Sequence, residues 1–197
     1  MSNVFHIPRF VALCGNPKSG KSLVQEILLN NYGVQPIDDG GPLREFAVNN
    51  LGLTWDQVRT QEGKLEMVEI LGKSWQVRKI LGELGNVLEA MFGKHIMGYM
   101  AVARCSGTIG SFSFGSVRRD QGKYYKAAGD AVVIGIRNPL ALPTGNEFDT
   151  FDESTVDVWI ENDALAKGMT PFEGRKDLEK KIHQIVIDLT WAKAAAA

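Results

Sequence analysis

The sequence predicts an α/β fold in three layers, a mostly parallel sheet of about five strands flanked by helices. Three observations carry that expectation. Short apolar runs alternate along the chain with segments of helical period, the pattern of strand–helix–strand units. Two of the runs, Phe10-Val11-Ala12-Leu13-Cys14 and Ala131-Val132-Val133-Ile134-Gly135-Ile136, have no polar residue, as strands covered on both faces require. The first runs directly into Gly15-Asn16-Pro17-Lys18-Ser19-Gly20-Lys21-Ser22, which fits the phosphate-binding pattern G-x-x-x-x-G-K-[ST] at every fixed position.

The elements follow in order. After the loop, Leu23, Ile27 and Leu28 fall at helical spacing, and Gly33 is placed to end that helix. Val34-Gln35-Pro36-Ile37 reads as a short second strand. Asp38-Asp39-Gly40-Gly41-Pro42 is a turn, with Pro42 suited to the first turn of a helix from Leu43 to about Leu51. Thr54 caps a short helix beginning at Trp55. Gln61 to Gly72 has weak periodicity and reads as helix or loop. Ser74 then opens a long helix whose stripe is Val77, Ile80, Leu81, Leu84, Leu88 and Met91, ended by Gly93. A helix over His95–Arg104, a strand over Thr108–Phe114 and a helix from about Arg119 to Ala128 precede the second apolar strand. Asn138 to Thr155 is rich in Gly, Pro and acidic residues, and its length suits a functional loop or lid. Val156–Ile160 is the last strand and Leu178–Trp191 the last helix.

A single domain over 1–197 is expected, large enough for a substantial core. The 22 basic and 23 acidic residues leave a net charge of −1, which provides no general attraction for nucleic acid or anionic lipid. No apolar stretch reaches membrane-spanning length, and the first residues lack the plan of a signal peptide. Cys14 and Cys105 make no disulfide framework, which fits a reducing cytoplasm. His6, His95 and His183 have no zinc-ligand spacing.

The loop defines a phosphate site. Gly15 and Gly20 let the backbone take positive φ, and successive N–H groups then face an anion at a helix N-terminus. Lys21 is placed to reach β- and γ-phosphates, the Ser22 hydroxyl to ligate Mg²⁺, and Lys18 to add positive charge. ATP and Mg²⁺ are therefore the expected ligands of Gly15 to Ser22. Arg44, Arg118, Arg119 and Arg137 follow predicted strands, at the sheet edge where open α/β folds bind ligands. Arg78 lies near the start of the long helix. Guanidinium forks are suited to neutralising two anions brought together.

Several segments taken in order resemble the adenylate-kinase-like nucleoside monophosphate kinases, and more closely the bacteriophage deoxynucleoside monophosphate kinases. Gly41-Pro42-Leu43-Arg44-Glu45-Phe46-Ala47 is similar to their Gly-Pro-hydrophobic-basic segment. Gln76 to Gly85 resembles their V-R-R/K-x-x-Q-x-x-G helix, and Ser116-Val117-Arg118-Arg119-Asp120 their D-x-R-x-x-x-E/D turn. Ile134 to Pro139 is similar to their strand ending in Arg-Pro, and Asp157 to Asp163 to their final strand. The resemblance implies a P-loop kinase fold, with an acceptor-binding helical region at about 38–93 and a lid at about 138–155. It implies transfer of a phosphoryl group from Mg-ATP to a (deoxy)nucleoside monophosphate, giving the diphosphate, with Lys21, Arg118 and Arg137 catalytic. It places Asp39, Arg44, Arg78 and Arg118 on the acceptor, and Asp38 or Asp39 on Mg²⁺ through water. The compartment would be the host cytoplasm if the chain is phage-encoded. Trp55, Gln57, Gln61 and Trp75 are candidates for reading the base, and a homodimer through the long helix stays open.

Two departures stand out. Ser116 occupies the family's Asp position, so Asp38, Asp39 or Asp120 would have to substitute. No Lys or Arg lies between Arg137 and Lys167, and the lid carries Glu147, Asp149, Asp152 and Glu153 instead. Two alternatives follow. One is another small-metabolite kinase such as dephospho-coenzyme A kinase. The other is a nucleotide-binding or assembly protein without turnover.

Overall fold

A computed structural model of the protein describes residues 5–143, 145 and 150–196. Its elements begin with β1 (Phe10–Cys14), α1 (Lys21–Tyr32), β2 (Gln35–Ile37), α2 (Gly41–Leu51) and α3 (Trp55–Arg59). A 3₁₀ turn at Gly63–Leu65 leads to β3 (Met67–Ile70), β4 (Lys73–Gln76), α4 (Val77–Phe92) and α5 (Ile96–Ala103). Then come β5 (Phe112–Phe114), α6 (Gln121–Ala128), β6 (Ala131–Arg137), β7 (Val158–Glu161) and α7 (Pro171–Ala195).

Strand β1 is buried along its whole length because it occupies the centre of a five-stranded parallel sheet, ordered β2-β5-β1-β6-β7. Its neighbours are in register as Ala12 with Phe114 and Leu13 with Ile134. Strand alternation sends Val11, Leu13, Val132, Ile134 and Ile136 to one face, against Val24, Ile27 and Leu28 of α1 and Leu178 and Ile182 of α7. Phe10, Ala12, Cys14, Phe112, Phe114 and Val133 pack on the other, against Ala101 of α5 and Tyr125 of α6. This is a three-layer α/β fold, a parallel sheet with helices on both faces.

Helix α1 carries the chain from β1 toward one edge of the sheet, and α6 carries it from β5 across to β6 on the other side of β1. The connections leaving β1 and β5 therefore diverge, which opens a crevice at the carboxyl ends of those two strands. A third cluster (Ala47, Leu53, Val58, Val77 and Ile80) joins α2, α3 and α4, with the β3–β4 hairpin packed on it. It holds together a unit that forms another wall of the same crevice.

Several elements differ from the sequence expectation. Gln61–Gly72 contributes β3, which pairs with β4, so Ser74 lies in a strand and α4 starts only at Val77. The hairpin turns at Leu71-Gly72, where both φ angles are positive (52° and 70°). The strand expected over Thr108–Phe114 shrinks to three residues, because the carbonyls of Cys105, Thr108 and Gly110 accept from the Arg9 guanidinium instead. Helix α6 starts at Gln121 because Arg119 is held outside it at φ 47°, its N–H donating to Thr150 O and its carbonyl accepting from Asp152 N. Helix α7 starts at Pro171, seven residues before the expected Leu178, behind a capping box of Thr170 and Glu173. Of the acidic lid residues, Glu147 and Asp149 lie outside the described residues. No described helix is long and apolar enough to cross a membrane.

Leu178 is fully buried between α7 and the sheet. Leu178→Ala should lower unfolding free energy by about 2–5 kcal/mol in urea titrations.

Candidate active site

The loop after β1 is built around two glycines at which any side chain would be strained. Gly15 has φ 140°, and a Cβ there would lie 2.5 Å from the Ile136 carbonyl oxygen. Gly20 has φ 110°, and its Cβ would collide with the Asn162 side-chain amide. Between them Lys18 takes φ 65°, and Ser19 N–H donates to Asn16 O at 3.1 Å. The loop is braced from outside. Asn162, just past β7, donates from Nδ2 to Ser19 O at 2.8 Å, while its backbone N–H donates to Arg137 O at 2.7 Å. Asn16 Nδ2 donates to Ala141 O at 2.8 Å. Lys21 Nζ donates to Gly15 O and Asn16 O at 2.7 and 2.8 Å, so its ammonium rests over the loop's own carbonyls. The Ser19 hydroxyl is 1% exposed and has no hydrogen-bond partner among the described residues.

The loop opens into a cleft of about 680 Å³. Lys18 and Lys21 reach it from the loop, while Arg44, Arg59, Lys64 and Arg78 reach it from the α2–α4 unit. Arg118 and Arg119 reach it from the turn after β5. Only Asp38, Asp39 and Glu89 oppose these eight cations among the described lining residues. Arg44 is paired with Asp38 and Arg119 with Glu89. Arg78 Nη2 donates to Gln61 Oε1 at 2.8 Å.

Asp39 is 6% exposed, and its Oδ2 accepts from Ser116 N–H at 2.7 Å. Burial pushes its carboxyl above the ordinary range, against the hydrogen bonds from Ser116 and the charge of Arg118. A carboxylate from the end of β2 thus reaches the position where Ser116 lacks one. Asp120 is not among the described lining residues, and its Oδ2 lies 3.5 Å from His95 Nε2. Ser22 and Asp39 both line the cleft, and a hydroxyl plus a carboxylate is a donor set suited to Mg²⁺ that keeps most of its water. Asp38 is engaged by Arg44.

Most of the expected residues converge here: Gly15, Pro17, Lys18, Gly20, Lys21, Ser22, Asp38, Asp39, Arg44, Arg78 and Arg118 line one cleft. Arg137 does not join them. Its guanidinium lies 3.8 Å from the Trp159 ring centroid and pairs with Glu153 and Glu161. Gln61 lines the cleft, whereas Trp55 lies under the Arg59 guanidinium and Gln57 serves the capping box of α3. Trp75 packs on the third cluster. Arg59 and Lys64 escaped sequence reasoning, because they sit beside or within the stretch of weak periodicity and only their charge marked them. Cys14 is an inert core residue, its thiol pushed up to about 12 by burial.

No family model matches the chain. No curated protein matches it either. Among solved structures it is similar to a candidate kinase from Chloroflexus aurantiacus, over 93% of this chain and 98% of that one, at 11% identity and TM-score 0.49. It is also similar to a dephospho-CoA kinase from Campylobacter jejuni (92% and 99% covered, 16% identity, TM-score 0.47). A shikimate kinase from Aquifex aeolicus aligns over 91% and 96%, at 15% identity and TM-score 0.40. These similarities assign neither family nor substrate.

Two outcomes test the site. Asn162→Ala removes the external brace and should weaken ATP binding about tenfold in calorimetry, the worth of about one hydrogen bond, with little change in Tm. Because the Asp39 pKa is raised on folding, the fold holds that proton more tightly than the unfolded chain does. Stability should therefore fall as pH rises from about 4 through the folded-state pKa, and Asp39→Asn should remove that slope from urea titrations.

Proposed function

We propose that the chain transfers the γ-phosphoryl group of Mg-ATP to a (deoxy)nucleoside monophosphate. The observation that carries this reading is one cleft in which the phosphate loop and a second set of cations, from separate elements, share the same space. Two anions must be brought together for such a transfer, and cations on both sides offset their repulsion.

The loop amides and Lys21 hold the donor phosphates, and Lys21 leaves the carbonyls of Gly15 and Asn16 to do so. Ser22 and, through water, Asp39 would hold Mg²⁺, which would supply charge neutralisation to the donor phosphates. Arg44 exchanges Asp38, and Arg78 exchanges Gln61, for the acceptor phosphate. Arg118, in the same cleft, would serve both phosphates. An oxygen of the acceptor phosphate attacks the γ-phosphorus, the bond to the β–γ bridging oxygen breaks, and both products leave as diphosphates. The attacking oxygen is already anionic, so no general base is needed. Leu43, Leu81 and Met97 supply an apolar wall for the base.

An ADP-release assay across all monophosphates and deoxymonophosphates, with dephospho-coenzyme A alongside, tests the assignment. Release with a monophosphate supports it, release with dephospho-coenzyme A alone moves the acceptor, and ATP binding without release makes the chain a binding module. Lys21→Ala should abolish turnover while leaving Tm near wild type. Arg44→Ala should raise the acceptor KM by about tenfold or more, with a smaller effect on kcat.

A further inference from the structure

Lys64 differs from Arg44, from Arg78 and from Arg59, whose guanidinium lies over the Trp55 ring. Arg44 has Asp38 and Arg78 has Gln61, but the Lys64 ammonium makes no hydrogen bond or ion pair among the described residues. It is half-buried, and the charges of Arg44, Arg78 and Arg118 all act on it. Its position is fixed by the backbone below. A Cβ on the preceding Gly63 would lie 2.5 Å from Asp56 O and 2.6 Å from Gln57 Cα, so the 3₁₀ turn is wedged against α3. The N–H of Gly63 donates to Thr60 Oγ1 at 2.9 Å, and that of Lys64 to Thr60 O at 3.2 Å. An ammonium held half out of water in the same cleft as these guanidinium groups is disfavoured, and a multivalent anion joining them would offset that cost.

We infer that Lys64 is a phosphate-binding residue, closing with Arg44, Arg78 and Arg118 around one dianionic phosphoryl group. That this group is the acceptor's rests on the phosphotransfer reading; the anion seat itself does not. Burial first, and then the charges of Arg44, Arg78 and Arg118, lower the Lys64 pKa to about 8, with Asp38 opposing. Asp39, Glu89, Arg59, Arg119, Lys18 and Lys21 line the same cleft. A bound dianion favours the protonated form, so binding draws a proton onto Lys64 when the solution is above about pH 8. Affinity for a dianion therefore falls as pH rises past that point.

The test uses 2-deoxyribose 5-phosphate, whose second pKa of about 6 makes it dianionic throughout the range pH 7.5 to 9.5. Calorimetric Kd values at the two ends, for wild type, Lys64→Met and Lys64→Arg, give the result. Wild-type affinity should fall about tenfold across the range, while Lys64→Met should be about tenfold weaker at pH 7.5 and insensitive to pH. Lys64→Arg, which keeps its charge, should bind tightly at both ends. A flat wild-type profile, no binding of the probe, or Lys64→Met binding like wild type would overturn the inference. If Lys64→Met does not fold, the contrast between wild type and Lys64→Arg decides alone. Proton-linked binding with no ADP release from any monophosphate would remove the transfer reading and leave the seat standing.

Discussion

The hydrogen bond from the Asn162 side chain to the Ser19 carbonyl is the contact on which the site depends. A loop that turns its N–H groups toward an anion must turn some carbonyls away, and those carbonyls need donors of their own. Asn162 provides one from beyond β7 while its own N–H is bonded to the end of β6. The loop after β1 is thereby tied to two further strands of the sheet. The same amide fills the space beside Gly20, so the brace and the requirement for glycine are one constraint.

Charge in the cleft is organised on the same principle of provisional partners. Asp38 and Glu89 hold two arginines in place, and the loop carbonyls hold Lys21. Each of these cations is positioned by a partner within the protein. Asp39 is different. It is buried, its bond is to a backbone N–H, and it supplies the carboxylate that Ser116 does not.

What the sequence made legible was local. The run from Phe10 to Ser22 combines a buried strand, two positive-φ glycines and a helix start within thirteen residues, and each feature is set by its neighbours in the chain. The β6 strand is legible for the same reason. Arg44, Arg78 and Arg118 could be found because each follows or opens an element whose end faces the crevice. The β3–β4 hairpin was hidden because pairing is not local, and Leu71-Gly72 lacks the Asn-Gly signal of such turns. Lys64 was hidden with it. Arg137 sits at the expected strand end, but Trp159 on the adjacent strand offers its ring face, a partner that only the β6–β7 register reveals.

The concentration of positive charge in one place has a counterpart on the rest of the molecule. With the eight basic and three acidic cleft residues set aside, the sequence retains 14 basic and 20 acidic side chains. The residues outside the recess therefore carry a net negative charge, while those lining it carry a net positive one. A long polyanion meets repulsion over most of its contour, whereas a compact one can enter the recess whole. Such a distribution would favour compact anions over extended ones before any side chain reads their chemistry.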